Sequence, residues 1–256
     1  MKPLFRNDPM WRHEHLDVTD STMERIKALP DAEVPERGFR LLTTGYQTMG
    51  HGQKGTRWEA DEGRNLLFSF AFRPRQVQAN HQFALSEALA LAVADALACW
   101  IGPCTVKWPN DVYWHDRKIA GMLLEHTLAG SAIAVTRTGV GVNVNQQQFR
   151  SDAPNPVSLF QICGQEVDLS TLLERILRSF ESNLSLIYDG KERLLHQRYM
   201  QHLYWREGLH DFRTPSGEAF QASIADISPL GMLTLNLPGQ GKRTFAFKEV
   251  SFIIPS

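Results

Sequence analysis

Apolar residues along the chain form two patterns, short runs typical of strands and longer stretches typical of helices. Four short runs predict buried strands, at 40–46, 65–72, 119–126 and 132–144. Residues 83–100 contain no Gly or Pro and are rich in Ala and Leu, both strong helix formers, so they predict a helix packed closely on a sheet. The alternation of strands and helices predicts a sheet covered by helices.

A second helix is predicted at 170–188, behind a candidate N-terminal cap at Ser170. Its apolar residues recur at three- and four-residue spacing, which predicts one buried face. The residues of this face are Leu172, Leu173, Ile176, Leu177, Phe180, Leu184 and Ile187.

The pattern changes after about residue 205. Three short candidate strands, at 218–227, 231–237 and 243–254, are separated by turn signals rich in Pro, Gly and Ser. We predict a small β-barrel over residues 206–256, although further strands of the main sheet would give the same pattern. Its predicted interior residues are Ile224, Ile227, Leu230, Met232, Leu233 and Leu235.

Composition and charge narrow the class of protein. With 43% apolar residues, the 256-residue chain can build a sizeable core. A net charge of −1 does not favour nucleic acid or an anionic membrane as the main partner. No apolar run approaches the ~18 residues of a membrane span, and the N-terminus lacks a signal-peptide pattern, so we expect a cytoplasmic protein. Cys99, Cys104 and Cys163 lack metal-site spacing and are expected to be reduced thiols.

Residues 45–58 form a glycine-rich segment that also carries His51, Lys54 and Arg57. Glycines let the backbone approach a ligand, and the three side chains supply donors for phosphate oxygens, so the segment predicts an anion-wrapping loop. A solvated hairpin is the alternative interpretation. The pattern is not a P-loop, and it leads into a strand where a dinucleotide-binding loop would lead into a helix.

The segment 104–125 has the layout of an anion-handling site, with two lysines and an Asn-Asp pair around short apolar runs. Pro109 favours an extended chain before it and a turn after it. Asn110 and Asp111 could then hold Mg²⁺ beside phosphates, although a surface turn is the alternative. Further along, Lys118 begins a strand in which Gly121 removes a side chain, and 139–145 places two more glycines and two amides at a strand end.

Four motifs in order give the chain a clear resemblance to the biotin protein ligases. These are Ser21-Thr22, the glycine-rich loop ending in Trp58, KWPNDV at 107–112 followed by KIAGMLLE at 118–125, and GVGVNVN at 139–145. The resemblance implies an α+β catalytic domain at 1–205, with a mixed β-sheet and flanking helices that bind biotin and ATP, and an SH3-like β-barrel at 206–256. Such enzymes form biotinyl-5′-AMP and transfer biotin to a lysine of a biotin carboxyl carrier domain.

The resemblance also implies roles for the charged residues. Lys118 should bind the biotin carboxylate and the bridging region of the adenylate, while Lys107 approaches phosphate. Asn110 and Asp111 should organise phosphate, Mg²⁺ or the incoming lysine, and Asp111 is the candidate to orient or deprotonate that lysine. These four residues are the predicted catalytic set.

The implied substrate contacts divide into two groups. Biotin is expected to contact Ser21, Thr22, Gln47, Gly50, His51, Gln53, Lys118, Gly121, Gly139 and Val142. ATP and the adenylate are expected to contact Gln53, Trp58, Lys107, Asn110, Lys118 and Asn143, with Trp58 on the adenine ring and Asn143 at its edge.

Three departures from the family pattern reduce the number of permanent charges or weaken a motif. His51 and Gln53 replace two arginines of the loop, Met23 replaces the Asn that commonly follows Ser-Thr, and Lys248 replaces a glycine near the C-terminus. A lipoate protein ligase and a degenerate biotin-binding sensor are the alternatives. Because the match begins near residue 15, we expect no helix-turn-helix domain and no nucleic-acid partner. The protein is expected to be a monomer or a homodimer.

Overall fold

The structure is a computed structural model that describes residues 10–52, 57–75 and 77–254. In these ranges the helices are α1 (Thr22–Ala28), α2 (Phe83–Ile101), α3 (Leu159–Cys163), α4 (Leu169–Tyr188) and α5 (Glu192–Gln201). The strands of the N-terminal part are β1 (Trp11–Thr19), β2 (Phe39–Gln47), β3 (Leu66–Phe72), β4 (Thr105–Lys107), β5 (Asp111–Trp114), β6 (Arg117–Ala129) and β7 (Ala132–Val142). The strands of the C-terminal part are β8 (His210–Arg213), β9 (Ala219–Ile227), β10 (Leu233–Leu237), β11 (Gly241–Phe245) and β12 (Ser251–Phe252).

The first seven strands form one mixed sheet in the order β1-β2-β3-β7-β6-β5-β4. Strands β1 and β2 are parallel, and the other pairs are antiparallel. The predicted mixed sheet with flanking helices is therefore confirmed. The four predicted runs correspond to β2, β3, β6 and β7, while β1 was missed because this edge strand is mostly polar and has no continuous apolar run.

The two faces of this sheet carry different helices. Leu85 and Leu89 of α2 share one buried core with Val140 and Val142 of β7. Side chains alternate along a strand, so Gly139 points to the opposite face, where an added Cβ would lie 3.3 Å from Met23 of α1. The face that carries α1 is thus the one whose glycines leave room beside the sheet.

Helix α2 explains why its sequence is so apolar. With the short turn before it, Ala79–Ile101 is long and apolar enough to cross a membrane by length and composition, although no such stretch was predicted from the sequence. However, 61% of its most apolar window is buried inside the protein, and α4 packs along it. These contacts are those of a core helix.

The cap predicted for the second long helix is wrong by two residues. Helix α4 begins at Leu169, and the Asp168 carboxylate accepts a hydrogen bond from the Thr171 N–H at 2.7 Å. Ser170 lies inside the first turn. Asp and Ser have similar preference for the cap position, so the apolar spacing alone could not choose between them.

The C-terminal strands form a five-stranded antiparallel sheet in the order β11-β10-β9-β8-β12. Within the described residues β11 and β12 do not pair, so a closed barrel is not confirmed. The predicted strand at 243–254 is interrupted by a turn in which the Glu249 N–H donates to Ala246 O. Leu230, predicted to be interior, lies in a turn with 55% of its surface exposed.

The N-terminal and C-terminal parts of the chain are joined by direct contacts from the helices and loops beside their sheets. The Trp108 indole N–H donates to Gly231 O at 2.9 Å, and the Phe83 N–H donates to Pro229 O at 3.1 Å. His196 of α5 lies 2.7 Å from Glu87 Oε1 through Nδ1. Its Nε2 lies 3.2 Å from Asp226 Oδ1 in β9. The boundary near residue 205 stays a prediction, but the residues on its two sides contribute to one continuous core.

Candidate functional site

Two glycines on the α1 face form the floor of the candidate site. Gly121 of β6 and Gly141 of β7 are direct neighbours in the strand register, and we call this pair the glycine floor. The Trp58 indole lies on it, because an added Cβ would be 3.0 Å from Trp58 Cζ3 at Gly121 and 2.5 Å from Trp58 Cε2 at Gly141. The absence of side chains at these two positions is therefore what lets a flat ring lie against the sheet.

Trp58 is held there by its backbone but not by its indole nitrogen. Its N–H donates to Gly50 O at 2.9 Å. Its indole Nε1 is buried and has no hydrogen-bond partner among the described residues. A buried unpartnered donor costs about 1–3 kcal/mol, so this position of the ring is not fully satisfied.

Gly139 and Val142 have different relations to the floor. Gly139 faces the same side as Gly141 but is covered by Met23. The Val142 side chain is fully buried in the core on the other face, so only its backbone borders the site. The predicted contact between Val142 and biotin would therefore be made by the backbone, and it stays a prediction.

A cluster of hydroxyl and amide groups lies at one end of the site, and we call Thr22, Gln47 and Ser69 the polar corner. The Thr22 N–H and hydroxyl donate to Gln47 Oε1 at 2.7 and 3.0 Å. The Ser69 hydroxyl donates to Thr22 Oγ1 at 2.8 Å. Ser21 is the N-terminal cap of α1, and its hydroxyl accepts from the Glu24 N–H at 3.4 Å. Sequence reasoning missed Ser69, whose only signal was one hydroxyl in the otherwise apolar strand β3.

The described part of the glycine-rich loop lies next to this corner. An added Cβ at Gly50 would be 2.9 Å from Gln47 Nε2, so the backbone passes close to the amide. His51 Nε2 lies 3.2 Å from Glu24 Oε1, and Arg57 donates to Thr48 O at 3.5 Å. Gln53 and Lys54 lie outside the described residues, and their predicted contacts remain predictions.

Lys118 and Asp111 form an ion pair beside the glycine floor. The Lys118 ammonium lies 2.7 Å from Asp111 Oδ1 and 5.6 Å from the centre of the Trp58 ring. Asp111 is opposite Lys107 on β4 and opposite Gly121 on β6, so the strand register itself brings these groups together. KWPND and KIAG therefore meet because β4, β5 and β6 are neighbours in the sheet.

Lys107 is the second cation of the site, and it lies in a different environment. Its ammonium is 4.7 Å from the centre of the Phe252 ring and 5.6 Å from that of Tyr113. Burial lowers the pKa of Lys107 below the usual range, and the Lys118 charge adds to this effect while Asp111 opposes it. The site thus holds one lysine paired with a carboxylate and one faced by aromatic rings.

The two amides predicted to contact ligands make hydrogen bonds within the protein. The Asn110 side-chain amide donates to Met122 O, and the Met122 N–H donates to Asn110 O at 2.9 Å. Asn143 is buried, and its side-chain amide donates to Val157 O at 3.1 Å. Both fix the ends of strands beside the site, and the Trp108–Pro109 peptide bond before Asn110 is cis.

The arrangement fits a metal that arrives with a ligand better than a resident metal. No group of three His, Cys, Asp or Glu side chains suited to a metal occurs in the described part of the chain. Asp111 already accepts the Lys118 ammonium through one oxygen. Mg²⁺ commonly takes one or two carboxylates and completes its shell with phosphate oxygens and water, and Asp111 could supply one such carboxylate.

Chemically, the site can hold an anion against a cationic pair. The glycine floor offers a flat apolar surface, the polar corner offers hydroxyl and amide groups at one end, and Lys118 and Lys107 offer positive charge at the other. Such fixed charges stabilise negative charge that develops on reacting oxygens.

Comparisons with known proteins show which protein family the sequence matches. The profile of the Biotin/lipoate A/B protein ligase family matches residues 16–145. The Biotin–[acetyl-CoA-carboxylase] ligase of Paracoccus denitrificans is 32% identical over 170 residues, which is 63% of this chain and 68% of that protein. The Bifunctional ligase/repressor BirA of Bacillus spizizenii is 30% identical over 171 residues, which is 64% of this chain and 51% of that protein. The chain thus spans about half the length of the first curated relatives it matches.

Solved structures agree on the fold. The biotin protein ligase of Aquifex aeolicus in complex with biotin and ATP superposes with a TM-score of 0.77 at 24% identity, over 95% of this chain and 99% of that one. At this identity the likeness shows the fold alone. It covers both the seven-stranded and the five-stranded sheet.

Proposed function

The chain belongs to the biotin/lipoate A/B protein ligase family, and from this premise we propose that it activates biotin with ATP and transfers it to protein. In the first step a biotin carboxylate oxygen bonds to the α-phosphorus of ATP, and pyrophosphate leaves. In the second step a lysine amine of a biotin carboxyl carrier domain attacks the acyl carbon, and AMP leaves as the amine loses its proton.

The observation that carries this proposal is the ion-paired Lys118 beside the glycine floor, with Lys107 on β4, directly opposite Asp111 in the strand register. Joining a carboxylate to a polyphosphate brings two anions together, so the site must supply fixed positive charge. In this proposal Lys118 contacts the biotin carboxylate and the bridging oxygen, and Lys107 contacts the phosphates. Asp111 orients Lys118 in the ligand-free site, and the incoming amine is the group that would compete for that carboxylate.

The other end of the site supports biotin as the acid. A ureido ring carries two N–H donors and one carbonyl acceptor, which match the hydroxyl and amide groups of Ser21 and the polar corner. The apolar ring and acyl chain would then lie on the glycine floor, in the place that Trp58 covers here. In this proposal Trp58 moves with the loop and packs on the adenine ring.

Several finer assignments accompany the proposal. Mg²⁺ would be bound with the nucleotide, and Asp111 is the carboxylate that would contact it. We assign the five-stranded sheet to an SH3-like barrel, supported by its antiparallel order and by the buried Phe212, Leu235 and Phe245. The carrier domain as partner, the cytoplasm as location, and a monomer or homodimer as assembly are also proposals.

The decisive experiment uses the purified protein with ATP, Mg²⁺, labelled biotin and a biotin carboxyl carrier domain. We expect biotin-dependent exchange of pyrophosphate into ATP and label on one carrier lysine. A carrier whose acceptor lysine is replaced by arginine is the control, and it should remain unlabelled.

Two other outcomes would each replace the proposal. Exchange driven by lipoate but not by biotin would identify a lipoate ligase. Biotin binding without exchange would identify a sensor, as the replacement of loop arginines by His51 and Gln53 suggests.

A further inference from the structure

Lys107 is enclosed by aromatic rings from both sheets. Tyr113 comes from β5 of the seven-stranded sheet, and Phe252 from β12 at the edge of the five-stranded sheet. The Lys107 ammonium lies 5.6 Å from the first ring centre and 4.7 Å from the second. Both distances are within the ~6 Å at which a cation is attracted to the face of a ring.

The Lys107 ammonium forms no contact ion pair with a carboxylate among the described residues. Asp111 is its partner in the strand register, but that carboxylate is 2.7 Å from the Lys118 ammonium. Across residues 10–52, 57–75 and 77–254, no hydrogen bond or contact ion pair involves the Lys107 ammonium. Its three N–H donors are therefore available to a ligand, while the rings replace part of the water that the charge has lost.

Phe252 is held in place by further aromatic contacts. Its ring centre lies 5.0 Å from that of Phe212 and 5.3 Å from that of Trp205. Trp205 in turn stacks on Tyr204 at 5.0 Å, where α5 leads into the C-terminal sheet. We call Tyr204, Trp205, Phe212 and Phe252 the aromatic wall, and its contacts hold the Phe252 ring beside the Lys107 ammonium.

We propose that Phe252 is a positioning residue for nucleotide binding, through which the C-terminal sheet aims the Lys107 ammonium at the triphosphate of ATP. This inference rests on the proposed function, because it assigns the phosphate end of the same site. A ring face attracts the cation without neutralising it, so Lys107 keeps its full charge for phosphate. A carboxylate in the same place would repel the phosphates.

The first test compares Phe252→Leu with Phe252→Tyr, which removes or keeps the ring. Loss of the ring should raise the KM for ATP in adenylate formation by about 2- to 30-fold, while biotin affinity stays unchanged. Phe252→Tyr should stay within about twofold of the unmutated protein. Phe252→Met takes the place of the leucine variant if the latter does not fold.

Phe220→Leu is the matched control. Phe220 is also a half-buried phenylalanine of the five-stranded sheet that contacts Phe212, at 6.0 Å, but it belongs to β9 and has no contact with Lys107 among the described residues. An equal rise in the KM for ATP in both leucine variants would overturn the inference, because it would reflect general loosening of the sheet.

A double-mutant cycle isolates the pathway through Lys107. In a Lys107→Met background, which lacks the cation, Phe252→Leu should change ATP binding by less than about twofold. An effect as large as in the native background would show that Phe252 acts through another residue. ATP binding is measured directly as well as through exchange.

Failure of this inference can be told apart from failure of the proposed function, because in the second case the unmutated protein forms no adenylate. Normal adenylate formation with a KM for ATP unaffected by Phe252→Leu would sink this inference alone.

Discussion

The two ends of the candidate site are held by different kinds of contact. At the polar corner, Thr22, Gln47 and Ser69 hydrogen-bond to one another, and all three come from α1 and two strands of one sheet. At the other end, Lys107 extends from the same sheet but is faced by Phe252 of the second sheet. The first end is thus complete within one unit, whereas the second requires two.

This difference teaches which part of the site depends on the packing of the whole protein. The polar corner is fixed by hydrogen bonds among residues of α1 and the seven-stranded sheet, so it requires no contact with the C-terminal sheet. Lys107 reaches its surroundings only when the C-terminal sheet packs through Trp108 and Phe252. Changes at the junction of the sheets should therefore weaken nucleotide binding more than biotin binding. The following predictions test that difference.

The largest effect is expected from Lys118→Ala, which removes one of the two cations at the charged end of the site. Loss of a charge-assisted contact of about 1.5–3 kcal/mol should lower adenylate formation by about 10- to 200-fold, and more if the contact strengthens in the transition state. ATP binding should change much less. Quench-flow measurement of the adenylate tests this, with Lys242→Ala on the exposed edge of the second sheet as control. An unchanged rate would remove Lys118 from the catalytic set.

Gly141→Ala should weaken biotin binding without changing ATP binding. The added methyl would lie 2.5 Å from Trp58 Cε2, in the space where a flat ligand would rest, so biotin should bind at least about tenfold more weakly, a loss of ~1.4 kcal/mol. ATP affinity should stay the same. Titration calorimetry with each ligand separates the two effects.

Gly139→Ala is the matched control for this prediction. There the methyl would meet Met23 Cβ at 3.3 Å and Met23 Sδ at 3.4 Å, so Met23 would have to shift by a few tenths of an ångström, but Trp58 is not among the contacts. An equal loss of biotin affinity in both variants would show that the glycine floor has no special role.

Alkaline pH should weaken the nucleotide end. Burial lowers the pKa of Lys107, so its charge is present below that lowered pKa and is lost as pH rises through it. ATP affinity should fall by up to about tenfold before pH reaches the ~10.4 of an ordinary lysine. Lys107→Arg keeps its charge and should remove this fall, and a parallel fall in both proteins would exclude Lys107 as its source.

The same group has the opposite effect on stability. The unfolded chain keeps the Lys107 proton to higher pH than the folded protein does, so this residue makes folding more favourable as pH rises from the lowered pKa to about 10.4. Weaker ATP binding in that window would therefore not be caused by unfolding at Lys107.

A smaller effect is expected from Trp108→Phe, which removes the indole N–H bonded to Gly231 O. Leaving that carbonyl unpaired should lower the free energy of unfolding by about 1–2 kcal/mol, as chemical denaturation would show. ATP binding should weaken and biotin binding should not. Loss of both together would contradict the proposed independence of the two ends.

The smallest effect is expected from Lys248→Gly. Lys248 has a φ of 69°, a left-handed conformation that costs an ordinary residue about 1–2 kcal/mol but is open to glycine. Glycine also makes the unfolded chain more flexible, so the net gain in stability should be at most about 1 kcal/mol. The affinities for ATP and for biotin should not change. Thermal unfolding measures the gain, and a loss would mean that Lys248 contacts outweigh the backbone strain.

The sequence predicted the polar and cationic parts of the site better than the aromatic part. Lys107, Asp111 and Lys118 lie within twelve residues on neighbouring strands, so local pattern and register bring them together. Phe252 is more than a hundred residues away and had no distinguishing signal. Its position depends on how the two sheets pack, which is a long-range property.

Prediction of the fold failed at similar places. The buried strands β2, β3, β6 and β7 have continuous apolar runs, whereas β12 has two residues and β1 is an edge strand. The resemblance implies that Asn143 contacts the adenine edge, and this stays a prediction. The hydrogen bond from its side-chain amide to Val157 O was not predicted, because it depends on a later segment folding back. Local sequence does not encode such a return.

The Trp58 indole on the glycine floor makes the protein a competitor of its own ligand. Any molecule that takes this place must first find the indole elsewhere, so its measured dissociation constant is the intrinsic one divided by the fraction of molecules with the floor uncovered. If the ring covers nine molecules in ten, affinity falls about tenfold with no contact to the ligand changed. The unpartnered Nε1 limits this occupancy, because the covered state leaves a donor unsatisfied. A substitution that supplies a hydrogen-bond acceptor for Trp58 Nε1 would stabilise the covered state, and one that removes such an acceptor would destabilise it. Either substitution would change the affinity of the protein for a scarce ligand without altering the residues that contact the ligand.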